Sequence, residues 1–166
     1  MRRLVSVIML GSCLLAISPG VRAQDCSNWT NWDLRGTYAM SGSGWIDPSK
    51  LVPALPAGTV PMSWVGSVVY NGVGRETGWV SVNAGGGQLN IQLTGLTYSV
   101  QTDCSVQVSF FMKPKEFPGV TIGPVSRVLV IAGKPDALEL LMILAGGGPG
   151  TPVDVGVERR ISMQSY

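Results

Sequence analysis

The chain has no histidine among its 166 residues, and that absence removes much of ordinary enzymology. Without imidazole there is no Ser-His-Asp or Cys-His nucleophilic site, no His-bound zinc and no near-neutral general base. Charge is scarce as well, with only 13% of residues Asp, Glu, Lys or Arg. Beyond the N-terminal segment the only paired basic residues are Arg159-Arg160, so the electrostatic footprint of a nucleic-acid binder is missing. Gly146 to Gly150 is glycine-rich, but no Lys-Ser/Thr follows, so it is not a phosphate cradle. EF-hand spacing is absent too. No metal and no cofactor are expected.

Long apolar runs are missing except at the start. Met1-Arg2-Arg3 is positive, Leu4 to Ile17 is almost wholly apolar, and Ser18-Pro19-Gly20 then breaks any helix. Val21-Arg22-Ala23 supplies modest residues at −3 and −1 before Gln24. This is the layout of a secretory signal over residues 1–23, cleaved after Ala23. The run is shorter than the roughly 20 residues of a membrane span. Leu10-Gly11-Ser12-Cys13 has the shape of a lipoprotein box, but the apolar sequence continues past it. Removal of the signal leaves nine Lys/Arg against ten Asp/Glu, a net charge of about −1. A secreted or periplasmic location follows as the expectation. In that oxidising setting Cys26 and Cys104 read as a disulfide, which leaves no thiolate nucleophile. It would close a loop of about 80 residues, worth roughly 4–5 kcal/mol of chain entropy.

Residues 24–33 form a polar lead-in with Trp29 and Trp32, tied down by Cys26. From residue 34 to 166 the pattern is one of strands and turns. Leu34, Gly36, Tyr38 and Met40 alternate with polar or small residues, the period of a strand with one buried face. Asp47 to Pro61 holds four prolines and reads as a long loop. Met62 to Tyr70 and Arg75 to Asn83 flank Asn71-Gly72, a hairpin signal. Gln88 to Leu93 alternates cleanly, and the phase slips at Thr94-Gly95, marking a bulge or a tight turn. Ser105 to Lys113, Val125 to Ala132, Ala137 to Leu144 and Val153 to Ser162 complete the set. Leu138 to Ala145 is the nearest approach to a helix, and its length and flanking turns suit a buried strand. The sum is an all-β fold, a single antiparallel up-and-down β-barrel of about eight or nine strands, with a two-sheet β-sandwich as the alternative. A barrel also leaves no exposed strand edge. A membrane-embedded barrel is disfavoured because Arg160 would fall in the outward band read back from Tyr166.

No catalytic constellation emerges. Glu139 is the one candidate acid or base, because it alternates with Ala137, Leu141 and Ile143 on a strand apolar on both faces. Against that, it can sit at a strand end facing solvent or pair with an arginine next door. Glu158 alternates with Asp154 and Arg160 and reads as part of a solvated face. Tyr38, Met40, Trp64, Trp79, Tyr98 and Phe110 are the candidates to line a ligand pocket, with Trp45 a further aromatic in reach.

The segment Asp33-Leu34-Arg35-Gly36-Thr37-Tyr38-Ala39 is similar to the first strand of lipocalin-type barrels, which open with Gly-x-Trp. Here Tyr38 stands at the tryptophan position. The rhythm of 34–44, 66–82 and 96–110 resembles a group of secreted bacterial small β-barrel proteins of the lipocalin or allene-oxide-cyclase kind. The resemblance implies a barrel with an interior cavity and transfers no catalytic residue. Three functions stay open: binding of a small apolar molecule or an envelope-associated role, a cofactor-free isomerase or cyclase, and a structural or adhesive surface module.

Overall fold

In the computed structural model, residues 25–132, 138–143 and 153–162 are described. The expected signal peptide and the glycine-rich Gly146–Gly150 stretch lie outside them. Period-two alternation builds eight strands: β1 (Gly36–Ile46), β2 (Val60–Tyr70), β3 (Arg75–Ala84), β4 (Gly87–Val100), β5 (Ser105–Pro114), β6 (Ile122–Ala132), β7 (Glu139–Ile143) and β8 (Val153–Ser162). Each strand is antiparallel to the next, and β8 returns to pair with β1. The fold is therefore a closed eight-stranded barrel and not a two-sheet sandwich.

Turn chemistry fixes the hairpins. Gly85 and Gly86 both take positive φ, +58° and +84°, as a two-residue type I′ turn between right-twisted strands requires. The Asn71-Gly72 hairpin is wider than two residues. Asn71 Oδ1 accepts from the amides of Val73 at 2.9 Å and Arg75 at 3.1 Å, so the side chain itself holds a four-residue turn. The phase slip at Gly95 is a bulge inside one long strand. Leu93 faces Gly78 and Leu96 faces Glu76, so β4 carries one extra residue there. The bulge lets Leu93, Leu96 and Tyr98 all point into the core. In the proline-rich loop, Pro48–Leu51 forms one helical turn, α1, whose first amides are met by Asp47: its Oδ1 accepts from Ser49 N at 3.1 Å.

The two ends of the barrel differ. At one end lie α1, Ile46, Ala84 and Pro114. At the other, Cys26 and Cys104 form the expected disulfide across 78 positions. That bridge holds the lead-in beneath the barrel, where a 3₁₀ turn, Asn31–Leu34, follows. Asn31 Oδ1 accepts from Val100 N at 3.0 Å, and Leu34 is completely buried.

Candidate functional site

The disulfide end is closed by tyrosines. Tyr38, Tyr70 and Tyr98 are buried and pack edge to face, with ring centroids 5.0 and 4.8 Å apart. Their hydroxyls are all used. Tyr98 accepts from Gly72 N at 2.7 Å and donates to Asn31 O at 3.2 Å. Tyr38 accepts from Arg160 Nε at 3.0 Å, and Tyr70 donates to Glu158 Oε2 at 2.7 Å. Tyr38 and Tyr98 thus form a plug and do not line the cavity.

Above this plug the barrel keeps a cavity of about 60 Å³, room for a few water-sized groups. Its wall is chiefly aliphatic and aromatic. Met40, Met62, Met112 and Met142 are part of it, so much of the lining is unbranched and adaptable. Trp64, Phe110 and Met40 also line it. Trp79 does not. It lies on the outward phase of β3, 52% exposed, and Trp45 is likewise outward at 56%.

Trp64 is seated by two glycines. On β1 Gly42 is its register partner, and Gly42 in turn pairs with Gly156 of β8. A methyl added at either glycine would fall within 2.6 Å of the indole ring. The ring therefore crosses from β2 over β1 to β8, in space that any larger residue would occupy. Its Nε1 is buried without a hydrogen-bond partner.

Four ionisable side chains also reach the cavity: Glu76, Arg127, Asp154 and Glu158. Arg127 and Asp154 form a buried ion pair at 2.7 Å, with Arg127 also touching Met142 Sδ. The arginine lies 5.8 Å from the centroid of the Phe110 ring. Glu158 accepts the Tyr70 hydroxyl, and Glu76 has a buried Oε2 with no partner. Burial raises the Glu158 carboxyl to about 7, against the opposing pull of Tyr70 and Arg127. Burial first, and the nearby Glu158 second, push Glu76 well above the usual carboxylate range. Burial likewise holds the Tyr70 hydroxyl well above its ordinary value, so it stays a donor.

This arrangement corrects the solvated reading of β8. Asp154 and Glu158 face inward at 5% and 4% exposure, while Val155 and Ile161 face outward at 62% and 64%. The polar phase of the strand is the inner one because Arg127, Tyr70 and Tyr38 wait there as partners. Glu139 is on the outer wall, paired with Arg159 at 2.8 Å, and has no access to the cavity. Glu76 and Arg127 went unnoticed in the sequence, although each sits in phase with the apolar residues of its own strand, Val80 for one and Leu129 for the other. A charge on the apolar phase was the signal that could have found them. Among the described residues no group of three or more His, Cys, Asp or Glu is placed to hold a metal ion, and no helix is long and apolar enough to cross a membrane.

Compared with family models, with curated proteins and with solved structures, the chain matches none of them.

Proposed function

We propose that this is an exported barrel, of the lipocalin-like kind, that holds a small, largely apolar molecule in its interior. The observation that carries the reading is the cavity itself: apolar walls converging on a few polar groups, with Glu76 Oε2 and Trp64 Nε1 both unsatisfied. Buried polar atoms without partners are costly in a finished core, and a bound molecule would satisfy them. Pockets for small ligands combine apolar lining with a few placed polar groups in this way. The four methionines can re-rotate to admit a ligand larger than the resting space. Export is supported by the signal-like start and by the Cys26–Cys104 bridge, which suits an oxidising compartment.

Native mass spectrometry of residues 24–166, purified from an oxidising compartment, tests the reading. The expected result is an added mass that is lost on denaturation. A bare protein, unchanged after exposure to lipid and terpenoid extracts, would favour a structural module instead.

A second reading, a cofactor-free isomerase or cyclase, is favoured by one observation. Glu158 accepts the Tyr70 hydroxyl at 2.7 Å on the cavity wall and titrates near neutrality, as a general base should. Under that reading Glu158→Gln abolishes turnover and spares binding, whereas Glu139→Gln changes neither.

A further inference from the structure

The cavity holds more carboxyl groups than cations, three against one. Arg127 and Asp154 cancel each other at 2.7 Å. Arg160, the other inward cation of β8, is engaged at the tyrosine plug with Tyr38 and the carbonyl of Asp33. Glu76 and Glu158 remain, two carboxyl groups at the cavity wall, only 8% and 4% exposed; among the described residues neither forms an ion pair, and only Glu158 feels the pull of Arg127. One donor, Tyr70, donates to Glu158 and also lies within reach of the Glu76 carboxyl, whose Oε2 has no partner. The two carboxyls thus share one tyrosine donor and have no ion-paired cation of their own. Buried carboxylates without a counter-charge are expensive, and water can supply donors but no charge.

Building on the ligand-holding reading, we propose that the ligand carries an organic ammonium head, bound by Glu76 and Glu158. Its apolar tail points toward the α1 end. The direction follows from the lining. Glu76 is the second residue of β3, at the disulfide end, whereas Ile46 and Leu51 line the cavity at the opposite end. An ammonium offers several N–H donors to two acceptors and brings the missing charge, and charge-assisted bonds are the stronger kind. A metal ion fits less well, since two carboxyls and an apolar wall give too few oxygens.

The test is an NMR titration of protein carrying ¹³C-methyl methionine, read at Met40, Met62, Met112 and Met142. The probes are n-butylamine, butan-1-ol and butyrate at pH 8, where the amine is largely ammonium. The expected result is saturable shifts with the amine at least about tenfold tighter than with the alcohol, and none with butyrate. Glu76→Gln and Glu158→Gln should each cut the preference for the amine over the alcohol roughly tenfold. Alcohol binding as tight as amine binding, or a preference untouched by both variants, overturns the ammonium assignment and leaves the ligand-holding barrel standing. No saturable shift with any probe overturns both.

Discussion

Stability should fall as pH rises from 5 to 7.5, the reverse of what salt-bridged carboxylates produce. The perturbation is titration of Glu158, whose carboxyl is raised from 4.5 to about 7 by burial. A raised acid binds its proton more tightly in the folded state than in the unfolded one. The folded chain then holds more protons across this window, and unfolding becomes easier as pH increases. Integrated over the interval, the loss is roughly 2 kcal/mol. Glu76, raised by burial and by Glu158, acts in the same direction. The window is clean because the chain has no histidine. The carboxyls held below their ordinary values, Asp25, Asp47, Asp103 and Glu116, titrate beneath it. Urea denaturation followed by tryptophan fluorescence at intervals of half a pH unit gives the curve. Glu158→Gln mimics the protonated acid and retains an acceptor for Tyr70, so its curve should be flatter, and at pH 8 the variant should match or exceed the parent. A parent stability that rises or stays level between pH 5 and 7.5 would refute the placement of these carboxyls.

Two further outcomes test the frame of the barrel. Gly42→Ala and Gly156→Ala should each destabilise by about 1–3 kcal/mol through overpacking, seen as a lower Tm, while Gly119→Ala, with nothing within 4 Å, should be near neutral. Arg127→Leu strands Asp154 and should cost about 3–5 kcal/mol in urea unfolding, whereas Arg127→Leu combined with Asp154→Leu should recover much of it.

Most of the strand plan was legible because alternation survives wherever one face is buried. The runs of β5 (Val106, Val108, Phe110, Met112) and of β4 (Leu89, Ile91, Leu93) could hardly be misread. Closure into a barrel was legible only as a count of strands, since the pairing of β8 with β1 joins residues more than a hundred positions apart. The site was the hardest part to read. Polarity alone places Glu158 outside, and only its tertiary partners, Tyr70 and Arg127, reverse that. Trp79 shows the converse error: a large aromatic invites burial, yet its strand phase, set by Glu76 and Val80, sends it outward.

The barrel's wiring also dictates an order of assembly. Seven of its eight strand pairings join neighbours in the chain and can zip as successive hairpins. The eighth, β1 with β8, has to wait until Val153–Ser162 arrives from the far end. A nascent or clipped chain ending before β8 would carry two raw flanks, along β1 and β7, ready to recruit strands from another molecule. It would also lack Asp154 and Glu158, the partners of Arg127 and Tyr70. The last strand thus completes the scaffold and installs the interior chemistry in a single step, so no precursor can hold the acidic cavity before the ring is shut.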